Sequence, residues 1–222
     1  MELMENVTDL RAVGVYPTSK DSSEFPPNDE LCENVMNIGR QIRTLYLDMK
    51  TSDGYVYDPP ANLSCNFEKV TIKRAKWVTK DIFIKLFLHC TQVELSNKNF
   101  SNEDLAAIFV EWSQSSSMQY MKLHSEDETN PQKSLTDVVG SLPEALPVEK
   151  AAVRVDGMRG VKRNEFKRVS FSEGRAYRIT GSDDKNYIVF YCKNYLYLTT
   201  KFEEVDTEDI LPDIESNEIA WR

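Results

Sequence analysis

No run of the 222-residue chain approaches the roughly 20 consecutive apolar residues that a membrane-spanning helix needs. Its first residues, Met1-Glu2-Leu3-Met4-Glu5-Asn6, carry acids where a secretory signal wants positive charge followed by an apolar run. An intracellular protein, cytoplasmic or nuclear and without a membrane partner, is the expectation. Cysteine is sparse: Cys32, Cys65, Cys90 and Cys192 are widely spaced and form no paired motif, which suits free thiols in a reducing compartment. Without an entry signal, the three sequons beginning at Asn6, Asn62 and Asn99 are read as chance occurrences.

Chemistry-bearing patterns are equally scarce. There are only two histidines, and His89 sits directly beside Cys90, an arrangement that in a strand points the two side chains to opposite faces. Neither His124 nor the remaining thiols have ligand-like spacing. No GxxxxGK phosphate loop and no GxSxG nucleophile elbow occur. Asp183-Asp184 lie in Gly181–Asn186, which reads as a hairpin turn. Arg154-Val155-Asp156-Gly157-Met158-Arg159 resembles the K-x-D-G-x-R motif of covalent nucleotidyltransferases, but arginine stands where the attacking lysine belongs. A guanidinium stays protonated and cannot act as that nucleophile. No enzyme, metal, cofactor or small-molecule substrate is expected.

What is present is a foldable composition, 41% hydrophobic and 28% charged, with ten Phe, ten Tyr and three Trp. The net charge of −9 conceals segregation. Acids dominate Glu203 to Glu218, whereas 69–85 and 154–178 are basic. In the basic segments Lys73, Arg74, Lys76, Trp77, Lys162, Arg163, Lys167 and Arg168 are candidate nucleic-acid contacts, cations for phosphates and a ring for bases.

Residues 1–27 read as a flexible lead-in and 28–123 as an α+β N-terminal domain. Asn28 is a helix cap with Asp29 and Glu30 in the first turn. Leu31, Val35, Ile38, Ile42, Leu45 and Met49 recur at helical steps, which predicts one helix through them, with Gly39 marking a close contact. Ile82 to Leu88 is apolar on both faces. It is read as a buried strand, although Thr79 as a cap would suit a helix. Ser101-Asn102-Glu103-Asp104 is a capping box opening a second helix through Leu105, Ile108, Phe109 and Trp112. Residues 124–149 form a linker, with a helical turn near Leu135 to Val139. No internal repeat is visible.

Five short β-prone runs follow, at 152–155, 168–171, 177–180, 187–191 and 195–198, punctuated by glycine turns, and predict a small antiparallel barrel over 150–212. Residues 213–222 are an acidic tail. The fold class expected is therefore α+β, a helix-containing N-terminal half and a small C-terminal antiparallel β-barrel.

From Val169 to Pro212 the chain resembles a Tudor domain. Phe171-Ser172-Glu173-Gly174 stands at the family's aromatic and turn, Tyr177-Arg178 at W-Y-R, Ile188-Val189-Phe190 at V-x-F, and Val205 to Pro212 at the acidic closing strand. Ala176 replaces the tryptophan, Cys192-Lys193 stand at D-Y and Asn194-Tyr195 at G-N. The resemblance implies a degenerate methylarginine cage drawn from Phe171, Tyr177, Phe190 and Tyr191, in which Lys193 would repel a cationic ligand. It also implies an interaction scaffold or adaptor of ribonucleoprotein or RNA-silencing assemblies, with a protein partner. RNA or single-stranded nucleic-acid binding is the alternative.

Overall fold

In a computed structural model, residues 10–16, 26–39, 42–61, 63, 65, 67–125, 134–140, 142–154, 166–205 and 214–215 are described. Within the lead-in, Leu10–Val15 form strand β1. Asn28 accepts a hydrogen bond from the Leu31 amide at 2.9 Å and opens α1 (Asp29–Asn37). The predicted long helix stops there. Beyond Ile38 and Gly39 the chain becomes β2 (Ile42–Leu47), so the helical spacing of Ile42 and Leu45 is a coincidence of a strand that buries both. Gly39 does mark a close approach, since a Cβ there would sit 2.7 Å from Cys65 Sγ and 2.8 Å from Phe67 Cζ.

β3 (Lys69–Ile72) follows, and the apolar run after it corrects the strand expectation. Thr79 accepts from the Ile82 amide at 3.2 Å and starts α2 (Lys80–Ile82), which continues as a π-helical turn, Phe83–Phe87. Phe83, Leu86 and Phe87 face inward while Lys85 is exposed, a helical pattern that two-sided apolarity had hidden. Topology demands it, because the next strand, β4 (Gln92–Ser96), is parallel to β3 and needs a crossover. α3 (Asn102–Ser115) carries the expected capping box: Ser101 Oγ accepts from the Asp104 amide at 3.1 Å, and Asp104 accepts from the Ser101 amide at 3.3 Å. β5 (Tyr120–His124) and the short α4 (Thr136–Val139) complete this half.

The barrel expectation is overturned. The five runs do form strands, β7 (Lys150–Val153), β8 (Lys167–Ser170), β9 (Ala176–Thr180), β10 (Asn186–Cys192) and β11 (Tyr195–Thr199), but they divide between two sheets. With β6 (Leu146–Pro147), the strands β9–β11 extend the N-terminal strands into one nine-stranded sheet, ordered β1-β2-β3-β4-β5-β11-β10-β9-β6. β12 (Phe202–Glu204), β7, β8 and β13 (Ile214–Glu215) make a separate four-stranded sheet. The described residues contain no closed barrel. The seam is β5 against β11, which pair antiparallel from Tyr195–His124 to Thr199–Tyr120. The rest of the lead-in, most of the acidic tail and the nucleotidyltransferase-like motif beyond Arg154 lie outside the described residues.

β1 to β5 are all parallel and lie in chain order. Right-handed crossovers that always step the same way must all pass over the same face. One apolar cluster accordingly joins Cys32, Val35 and Met36 of α1, Phe83 and Phe87, and Leu105, Ile108 and Trp112 of α3 to the inward residues of the sheet. Those inward residues are in register across the strands: Leu45, Val70, Val93 and Met121 in one row, Leu47, Ile72, Leu95 and Leu123 in the next. The pair recurs about every 25 residues, although the connections differ: no described helix lies between β2 and β3, whereas α2 and α3 follow β3 and β4.

None of the four cysteines is in a disulfide, and Cys32, Cys90 and Cys192 are buried. Burial pushes the Cys32 and Cys90 thiols up to about 12, and the Tyr187 and Tyr191 hydroxyls likewise up to about 12. Each of these groups ionises more readily in the unfolded chain. Urea midpoints should hold steady below pH 9 and fall as pH rises toward 12, because only the unfolded state then releases its protons. Replacing Ser101 by Ala removes one side-chain cap and should lower unfolding free energy by about 1 kcal/mol, read from the same denaturation curves.

Candidate functional site

The four rings of the proposed cage do not converge. Phe171 and Phe190 pack together, centroids 5.3 Å apart, in the apolar layer between the two sheets. Tyr177 and Tyr191 belong to the opposite, helix-covered face of the large sheet. Successive residues of a strand point to opposite faces, so adjacent Phe190 and Tyr191 cannot line one pocket. All four are buried, with exposures between 0% and 8%, and Lys193 stands on the exposed β10–β11 turn. Asp183 is a turn residue: its carboxylate accepts from the Lys185 amide and ammonium at 3.2 and 2.7 Å, and from Tyr187 Oη. Among the described residues, no His, Cys, Asp or Glu group is arranged to hold a metal. No described helix is long and apolar enough to cross a membrane.

The predicted nucleic-acid contacts are dispersed. Trp77 is buried at 3% exposure, edge-on to Tyr55 and Tyr57, and presents no face for a base. Lys162 and Arg163 lie outside the described residues, and Lys167 and Arg168 are half-buried on β8 of the small sheet. Lys73, Arg74 and Lys76 are brought together. They follow β3 directly, and with Asp48, Lys50, Thr51, Asp53 and Asn97 they line an open depression of about 560 Å³.

Two surfaces emerge from the fold itself. The first is the face of β1–β5 opposite the helices. Strand register sets Gly14, Tyr46, Thr71, Glu94, Lys122 and Tyr197 in one row, and Thr44, Lys69, Gln92, Tyr120 and Thr199 in another. The small sheet covers the end of this face: its apolar cluster includes Ile188, Phe190, Cys192 and Tyr197, with Tyr120 and Tyr195 at the margin, but no residue of β2, β3 or β4. Thr44, Tyr46, Thr71, Gln92, Glu94 and Lys122 remain partly accessible. Exposed Tyr16 stacks on Tyr46 at 4.6 Å, and Lys122 Nζ lies 5.0 Å over the Tyr195 ring.

The second surface is the edge where the parallel strands end. Backbone bonds tie each exit loop to its neighbour: the Asp48 amide donates to Val15, Lys73 to Leu47, Ala75 to Ser96 and Lys98 to His124, all between 2.8 and 3.1 Å. Asn97 takes a left-handed conformation, φ 57°, which asparagine tolerates better than most residues, as the chain leaves β4. Neither surface is announced by a motif. The alternation of β2, β3 and β4 was the available signal for the first, and the basic stretch after β3 for the second.

Compared with protein-family models, curated proteins and solved structures, the chain has no match in any of the three. Its own geometry is what bears on function. A peptide carrying symmetric dimethylarginine should bind no better than its unmethylated form in a calorimetric titration. Phe190→Ala should lower unfolding free energy by about 3–5 kcal/mol, the cost of emptying a fully buried aromatic site.

Proposed function

We propose that this protein is a non-enzymatic interaction scaffold that receives a protein partner on the open face of β1–β5. The observation behind this reading is the asymmetry of cover. Helices bury one side of the parallel strands, whereas the side chains of β2–β4 on the other stay partly accessible.

The composition of the face suits recognition of another protein. Tyr46 and Tyr16 supply rigid amphipathic area, Thr44 and Thr71 are small, and Glu94 beside Lys122 sets a charge pattern that can select a complementary partner. Side chains carried on paired strands have less freedom to lose than side chains on loops, which lowers the ordering cost of association.

The test is affinity capture from extract, with and without nuclease treatment, using the full chain and two variants. Thr71→Arg with Glu94→Arg disturbs the open face, whereas Glu111→Arg alters an exposed position on α3. Loss of captured proteins in the first variant alone, with both variants melting as the parent does, is expected. Equal capture by all three would refute the reading, and capture abolished by nuclease would transfer the binding to nucleic acid.

A further inference from the structure

The depression at the carboxyl edge of β2, β3 and β4 has a feature that the open-face reading leaves unused. Among the described residues that line it, Lys50, Lys73, Arg74 and Lys76 outnumber Asp48 and Asp53, so this described wall is net positive on a chain whose formal charge is −9. Asp48 is already engaged, its Oδ1 3.4 Å from Arg74 Nε, and this contact aims the guanidinium. Exit-loop hydrogen bonds from the Asp48, Lys73 and Ala75 amides hold the backbone segments that carry these cations before any ligand arrives.

The neighbouring Lys98 is not one of the lining residues; its ammonium donates to the Lys76 carbonyl at 3.5 Å and lies 4.7 Å over the Phe100 ring. The four lining cations stand just beyond the carboxyl ends of β2 and β3. A volume of about 560 Å³ admits a charged side chain together with flanking backbone.

We infer that this basin takes a phosphorylated side chain of the protein partner, so that the partner lies along the open face with its phosphate at the carboxyl edge. The inference rests on the scaffold reading and adds the chemistry that would make binding conditional. A phosphate monoester brings close to two negative charges and three acceptor oxygens, which suits several cations around one basin. A nucleic-acid strand fits less well. It needs a basic track and successive rings, whereas here the cations surround one depression and Trp77 and Phe83 are buried. Tyr16, beside the open face, already has one ring face covered by Tyr46.

Fluorescence anisotropy with the full chain tests this. The probes are a short degenerate peptide library fixed at a central phosphoserine, the same library with serine, the same library with a run of glutamates, and a single-stranded oligouridylate. Phosphoserine peptides should bind and serine peptides should not. Lys73→Glu with Lys76→Glu should weaken binding at least about tenfold, the equivalent of one charge-assisted hydrogen bond. Lys201→Glu, an exposed lysine outside the basin, should leave binding unchanged.

Equal binding of the phosphoserine and serine libraries overturns the proposal, as does glutamate peptide binding as tightly as phosphoserine. Tighter binding of oligouridylate, lost in the same double variant, overturns it in favour of a nucleic-acid site. If the phosphoserine arm fails while Thr71→Arg with Glu94→Arg still abolishes partner capture, only the phosphate inference falls. If both fail, the scaffold reading falls with it.

Discussion

The structure depends on an in-register apolar ladder. Leu45, Val70, Val93 and Met121 form one row and Leu47, Ile72, Leu95 and Leu123 the next, all buried beneath helices on a single side. Parallel strands must be joined by crossovers, and crossovers of one hand stepping in one direction stack on one face. The inward side chains of each strand are thus buried together with those of its neighbours in one cluster.

The ladder does not end at β5. β11 pairs with it antiparallel and carries Leu196 and Leu198 into the same apolar cluster, followed by Val189 and Tyr191 of β10. Trp112 of α3 reaches across to Tyr187, edge-on at 4.8 Å, and its indole nitrogen donates to the Met118 carbonyl. The two halves of the chain therefore share a core. On the reverse face, Ile188, Phe190 and Cys192 require a different cover, which the four-stranded sheet provides. That small sheet explains why strands β10 and β11 are buried on both faces whereas β2–β4 alternate.

This difference in cover places both candidate surfaces. Alternation in β2–β4 puts tyrosine, threonine, glutamine, glutamate and lysine on the uncovered side, and the common ending of these strands gathers the cations of the following loops. The face offers shape and a charge pattern, and the edge offers a concentrated positive potential.

Local chemistry alone determined the parts of this protein that depend on near neighbours. Asn28 and Ser101 as caps, the helix after Ser101, the turn at Leu135–Val139 and the glycine-marked turn around Asp183 follow from groups within a few residues of one another. The five C-terminal strands were legible for the same reason. Tertiary structure decided what those elements pair with. Ile42 and Leu45 fit a helix as well as a strand until β1 and β3 lie on either side of β2. The run Ile82 to Leu88 had no exposed face to reveal its period, and only the need for a crossover settles it as helical. The cage failed because Phe171, Tyr177, Phe190 and Tyr191 are close in sequence but divided by the sheet, and pairing, unlike capping, is set by partners far along the chain.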